Sequence, residues 1–473
     1  MSRNSLPPIS LVIVNYNGEQ YLREASRAVS DASDEFAEVI LVDNASTDGS
    51  LSIVCEELPR ARVVRLGRNY GPATARNVGF KAARHQHIMF IDCDVVLAPG
   101  CARLLASALG ACPGAVAAMP AVVYKHDRDR VQYSGADSHF LGLMSLRDAD
   151  VGVAELCGRQ PQAIGSLVTC CFLLDRERWG DQPPFDASFF SLYEDHDFGL
   201  RSRVLGHRIL SVPSARVYHG QGTEGLSIRR TGRYTSQRVF LLVRNRWQVV
   251  LKNYQARTLL SLLPVLMLYE TFQLAVAFKK GWLGEWLRAV AWVVGHRQAI
   301  MRKRHAIQEA RVLPDREILS GGPLPFTRYI ATSPFERIGK RMLDFVAIGY
   351  WDVVARRLKP RATSTKSACA DWGEVPLLGF RRHSLLLMHI HTITIVVTSR
   401  RPSIEIEGYT MRSPCGTGAL YKASIGVKMW LKESAVGRTL QSVARDFNRR
   451  ASAGDHDDLF VNLHRLQGER PKT

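Results

Sequence analysis

The nine cysteines run from Cys55 to Cys415, and no two have C-x-x-C spacing. A zinc ribbon or thioredoxin-type centre therefore finds no support. The odd, scattered count fits reduced thiols in a cytosolic or cytosol-facing setting. The first strand runs into NYNGEQYL rather than G-x-G-x-x-G, which excludes a nicotinamide-dependent Rossmann oxidoreductase. The opening residues, MSRNSLPP, lack the apolar stretch of a secretory signal. Acids are scarce: 44 Asp and Glu stand against 63 Lys and Arg in 473 residues, a net charge of +19. That excess predicts an anionic partner, whether nucleic acid, phosphorylated substrate or anionic membrane face. A mean hydropathy of -0.09 argues against a polytopic membrane protein. A hydrophobic content of 46% argues against a disordered chain. The length predicts two or three domains.

What the sequence does contain is alternation. Residues 9–15 (ISLVIVN), 38–42, 61–66 and 87–92 read as short buried strands, with helices predicted at 18–30, 51–57 and 74–84. This rhythm predicts an α/β domain over 1–224, a mostly parallel sheet with flanking helices. Ligands of such sheets lie beyond the carboxyl ends of the strands, where Asp43 and Asp92 fall. Residues 225–257 carry eight Arg or Lys and no acid, and 259–278 form a 20-residue apolar run interrupted by Pro264 and Glu270. With the cluster RKRH at 302–305, the pattern predicts that 225–358 is a basic and apolar helical region touching an anionic membrane. Buried helices behind a soluble domain are the alternative. Residues 359–473 read as a linker and an unassigned C-terminal tail.

The chemistry-bearing residues sit in short clusters. Asp92-Cys93-Asp94 follows a strand, and two carboxylates on one turn repel unless a cation or proton lies between them. Hard divalent ions such as Mg²⁺ or Mn²⁺ take oxygen ligands and bind substrate phosphates; a solvated turn is the plain alternative. Asp43 opens DNASTDGS, where a carboxylate could accept from a base or ribose and Asp48 could cap a helix. Arg76, in the helix start after NYGP, could reach a phosphate or base. Glu194-Asp195-His196-Asp197 could supply a general base, or only an acidic first helical turn favoured by the dipole. His219 could complete a metal shell begun by two carboxylates.

The order of these clusters is more specific than any one of them. VIVNYN (12–17), DNASTDGS (43–50), NYGPATARNVG (69–79), FIDCDVVL (90–97), YEDHDFGLR (193–201) and VYHG (217–220) together resemble glycosyltransferase family 2, and within it the bacterial rhamnosyltransferase-like branch, over roughly 9–310. The resemblance implies a GT-A fold, a Rossmann-like sheet joined to an acceptor-binding half. It implies an inverting transfer of rhamnose or a similar sugar from a dTDP- or UDP-sugar to a glycan or polyprenyl-linked acceptor, at the cytoplasmic face of a bacterial plasma membrane. By resemblance Tyr16, Asp43 and Arg76 line the nucleotide pocket. Asp92 and Asp94 hold Mg²⁺ or Mn²⁺ on the diphosphate, with His219 as a further ligand. Asp195 is the catalytic base and Glu194 its neighbour. A catalytically inactive scaffold of polysaccharide assembly and a basic nucleic-acid-binding protein are the rival readings. The basic residues cluster with apolar runs rather than with a nucleic-acid motif, so no nucleic acid is expected. RSPCGTG at 412–418 matches the second-cysteine motif of proline-racemase-like isomerases, but its M-C-G-H partner motif is missing from the sequence.

Overall fold

The computed structural model describes residues 7–220, 234–325, 334–358, 405–406 and 409–412. Cys415 and most of the tail lie outside them. Strands β1 (Ile9–Asn15), β2 (Glu38–Asp43), β3 (Arg62–Leu66) and β4 (His87–Asp92) alternate with helices α1 (Glu19–Asp31), α2 (Ser50–Glu57) and α3 (Gly71–Ala82). Every residue of β1 is buried, as β-branched strands covered on both faces should be. The four strands are parallel in the order β3-β2-β1-β4. The chain therefore reverses its direction of growth between β1 and β4, which creates a crevice at the strand ends. Register places Asn15 opposite Asp43, and Val14 opposite Asp92, so these polar residues share one edge.

Beyond β4 the chain forms β5 (Val95–Leu97), α4 (Cys101–Ala111), β6 (Ala115–Tyr124), β7 (Val131–Tyr133), β8 (Gly135–His139), β9 (Leu143–Arg147), β10 (Gln162–Ile164) and β11 (Cys171–Asp175). Then come α5 (Arg176–Trp179), α6 (Glu194–Val204) and β12 (Arg208–His219). Here the sheet becomes mixed: β11 runs antiparallel between β4 and β6, and β6 pairs parallel with β12. The Rossmann-like half and flanking helices that the sequence implied are thus continuous with a second half. Strand β12 runs on past Val212, because an irregularity there absorbs Pro213 and pairing resumes at Arg216. That extension carries His219 back to β5, where it lies opposite Val95.

Five helices follow: α7 (Ser236–Asn253), α8 (Ala256–Lys280), α9 (Leu283–Gly295), α10 (Arg297–Glu309) and α11 (Asp315–Ile318). Strand β13 (Leu319–Ser320) joins β8 and β9 in a second sheet, and α12 (Pro334–Arg357) closes the helical layer. Short strands β14 (Glu405–Ile406) and β15 (Tyr409–Arg412) extend the β3 edge. One apolar core is shared by Phe189 and Leu200 around α6, Val249 and Val250 of α7, Leu262 and Leu266 of α8, and Trp351 of α12.

Three cations of the basic stretch lie inside the fold. Arg244, Arg246 and Lys252 of α7 are buried. Arg246 pairs with Glu270 of α8, and Lys252 with Asp186 and Asp197. Buried charges persist only when paired in this way. The apolar run forms one 25-residue helix, long and apolar enough by length and composition to cross a membrane. Its packed face carries Leu262, Leu266 and Glu270, while Leu260, Leu263, Met267 and Phe278 are exposed.

Candidate active site

The ends of β1 and β2 are laced together by side chains. Asn15 donates from Nδ2 to Asp43 Oδ1 at 3.1 Å and to Ser46 Oγ at 3.0 Å. Asp43 Oδ2 accepts from the Ser46 amide at 3.1 Å and lies 3.6 Å from Arg65 Nε. Ser46 Oγ also accepts from the Asn17 amide at 2.9 Å, and Asn17 Oδ1 from the Thr47 amide at 2.9 Å. Asp48 accepts from the amides of Glu19 and Ser50, at the starts of α1 and α2, satisfying helix-end donors. Asp43 is fully buried and braces this loop, whereas the ring of Tyr16 stands 37% exposed beside it.

At the end of β4 the two acids separate. Asp94 Oδ2 lies 3.3 Å from His219 Nε2. Gln132 fixes that histidine twice: its Nε2 donates to the His219 carbonyl at 3.1 Å, and its Oε1 faces Nδ1 at 3.0 Å. The first contact leaves Oε1 as the acceptor, so Nδ1 carries the hydrogen. Its Nε2 is thereby turned toward the Asp94 carboxylate, an arrangement that suits a cation shared between them. One carboxylate oxygen and one imidazole nitrogen suit a divalent ion whose remaining ligands are phosphate oxygens and water. Asp92 faces Arg76 instead, and no three His, Cys, Asp or Glu side chains among the described residues converge on a metal position. Burial, and then the charges of Asp94 and Asp92, push the Cys93 thiol up, so it stays protonated and is a poor ligand.

Arg76 joins the two halves. Its Nη2 donates to Asp92 Oδ1 at 2.7 Å and its Nη1 to Glu194 Oε1 at 3.1 Å. The side chain is 3% exposed. Its guanidinium is engaged by two carboxylates, one from each half. Burial raises the Glu194 carboxyl above its usual value, with Arg76 pulling the other way.

The four polar residues that open α6 divide their roles. Asp197 is buried against Lys252, Arg201 and Asn253. His196 is buried with Nε2 3.1 Å from Ser138 Oγ. Glu194 belongs to Arg76. Asp195 is half-buried and, among the described residues, forms no ion pair. Burial and then the Glu194 charge push its carboxyl up to about 7, where a carboxylate is poised to exchange protons at neutral pH. The backbone just before it is strained: Phe190, Leu192 and Tyr193 all have positive φ, at roughly 1–3 kcal/mol each.

A doubly wound α/β domain with its acids gathered at the strand ends defines the class of protein. Residues 10–167 match the family described as glycosyl transferase family 2. The match ends before Glu194, Asp195 and His219. One relative, an uncharacterised glycosyltransferase of Haemophilus influenzae, is 35% identical over 97 residues, 20% of this chain and 39% of that protein. An N-acetylglucosaminyl-diphospho-decaprenol L-rhamnosyltransferase of Mycobacterium tuberculosis is 27% identical over 231 residues, 45% of this chain and 75% of that protein. Among solved structures, GalNAc-T7 with UDP, GalNAc and Mn²⁺ aligns at 19% identity with a TM-score of 0.44, covering 55% of this chain and 51% of its own.

Sequence reasoning missed Gln132, Asn15 and the buried polar face of α7. Gln132 lies in a short strand and carries no motif. The α7 residues left one signal, Arg244-Asn245-Arg246 and Gln248 set between the apolar runs of that helix.

Proposed function

We propose that the chain is an inverting glycosyltransferase that moves a sugar from a nucleoside-diphosphate donor to a hydroxyl of a cell-envelope acceptor. The observation that carries this is Arg76, whose one guanidinium ties Asp92 at the end of β4 to Glu194 at the start of α6. Donor-side and base-side acids are thereby held in a single crevice. Asp195 takes the proton of the acceptor hydroxyl. The resulting oxygen bonds to the anomeric carbon opposite the diphosphate, the carbon–oxygen bond to the diphosphate breaks, and the nucleoside diphosphate leaves. Glu194, held by Arg76, lies next to Asp195 and adds to the effect of burial in raising its basicity. Asp94 and His219 would hold Mg²⁺ or Mn²⁺, with Asp92 at its flank; when bound, the ion supplies positive charge for the departing diphosphate. Tyr16 offers an exposed ring for stacking on the nucleotide base, over a floor braced by Asp43.

A dTDP- or UDP-linked sugar, rhamnose foremost, and a polyprenyl-linked acceptor are the substrates we favour. The name of the mycobacterial relative supports that choice. The exposed apolar faces of α8 and α12, including Phe278 at 75% and Phe345 at 82% exposure, suit seating on the cytoplasmic leaflet of a bacterial plasma membrane, where such an acceptor resides. The test is a donor panel with Mg²⁺ or Mn²⁺, read by thermal shift and nucleoside-diphosphate release. A metal-dependent response to one donor, lost in Asp94→Ala, is expected; a folded protein silent to every donor refutes the reading.

A further inference from the structure

The segment leading into α6 is bent in a way that its own residues do not favour. Phe190 has φ 62° and ψ -73°, and the Ser191 amide donates to the Phe189 carbonyl at 2.8 Å. This is a γ-turn of the rare, strained hand. Leu192 and Tyr193 follow with φ of 66° and 69°, and Glu194 then begins the helix. Neither glycine nor asparagine is present to ease these conformations, so neighbouring groups must hold them.

Those groups lie on α7. Asn245 is fully buried, and its Nδ2 lies 3.1, 2.9 and 2.7 Å from the carbonyls of Phe189, Ser191 and Leu192. Arg244 Nη2 adds donors to the carbonyls of Ser188 at 3.1 Å and Phe189 at 2.6 Å. The amide of Asn245 is itself oriented, because its Oδ1 accepts from Arg244 Nε at 2.8 Å and from Gln248 Nε2 at 3.1 Å. With Oδ1 engaged by two donors, the NH₂ group can only face the turn. On the opposite side, a Cβ at Gly71 would lie 2.3 Å from the Phe190 carbonyl, and Gly71 has φ +81°. The turn is gripped between α7 and the start of α3, the helix that also carries Arg76.

We infer that Arg244 and Asn245 are positioning residues for the base: they hold the γ-turn at Phe190 and thereby set the angle at which α6 presents Glu194 and Asp195. The inference rests on the function proposed above for its catalytic consequence, but the grip itself does not. It assigns a purpose to the buried polar cluster of a helix whose composition suggested only charge.

The test uses the full chain with Asn245→Asp, which keeps the shape and the Oδ1 acceptor but replaces the donor with an oxygen facing three carbonyls. Arg244→Lys serves as a second variant, because an ammonium cannot fork across the same partners. Hydrogen exchange of the segment 188–197 should quicken at least about tenfold with other segments unchanged, since loss of these hydrogen bonds opens the turn locally. The kcat should fall roughly 10- to 100-fold while the donor Kd stays within about twofold, as expected for a misplaced group. Unchanged exchange overturns the inference, as does a loss of donor binding in step with kcat. A wild-type chain without transfer on any donor refutes the proposed function instead, and the grip then stands or falls on exchange alone.

Discussion

Replacing Arg76 with methionine tests the centre of the site. The substitution keeps volume and removes the fork between Asp92 and Glu194. Breaking a buried ion pair from one side costs about 3–5 kcal/mol, because the remaining charge is left unpaired. Two carboxylates lose their shared partner here, but unequally. Glu194 is 7% exposed and carries most of the loss, while Asp92, 29% exposed, keeps some water. The expected destabilisation is therefore near the lower bound, about 3 kcal/mol at pH 8. Its sign with pH follows from the direction of the shifts. Burial already raises both carboxyls in the folded chain, and removing Arg76 raises them further. The folded variant then binds more protons than the unfolded chain, so its stability falls as pH rises above the unfolded value of about 4. Urea unfolding should find Arg76→Met close to wild type at pH 5 and well below it at pH 8. Adding Glu194→Gln should recover part of the loss. A loss that is equal at both pH values, or under about 1 kcal/mol at pH 8, refutes the reasoning.

Asp195→Asn should lower kcat by roughly 10²–10⁴ while donor binding persists. In the wild type, log kcat/KM should climb with pH and level off above about 7, because the raised Asp195 must release its proton before it can act; a flat profile between about pH 5.5 and 8 contradicts this. Gln132→Leu should weaken Mn²⁺ binding about 10- to 100-fold, measured by titration of the folded protein, because the orienting partner of His219 is gone. Undiminished affinity would remove Gln132 from that role. Phe278→Glu with Phe345→Glu should sharply reduce co-sedimentation with anionic vesicles while donor binding stays, and unchanged sedimentation would show that these faces meet something other than lipid.

Much of the parallel half was legible because its signal is local. The strands 9–15 and 87–92 coincide with observed elements, since a β-branched run between turn residues has few other ways to fold. The start of the helix opened by Glu194 left only a weak signal, because an acidic first turn has no hydrophobic periodicity. Motif order singled out the candidate acids, but it said nothing of their pairings. Arg76 meets Glu194 across 118 residues of sequence, and nothing local reports a contact of that kind. The same limit hid Gln132, whose importance exists only through β12 delivering His219 beside it. His87 is a further case: it finds Asp175 at 3.8 Å across the β4–β11 pairing, although the two are far apart in the sequence.

The positive charge of the chain also reads differently once placed. A net charge of +19 invites an electrostatic argument for an anionic surface, yet Arg76, Arg244, Arg246 and Lys252 are all buried. Lys303 of the RKRH cluster reaches Asp186, and Arg304 donates to the Leu251 carbonyl. These cations hold strained backbone and buried acids in place, and contribute little to long-range attraction. On the membrane seating proposed above, apolar area on α8 and α12 would carry the contact, and vesicle binding should depend weakly on salt and strongly on those side chains. A steep loss of binding between about 50 and 300 mM salt would return the weight to charge.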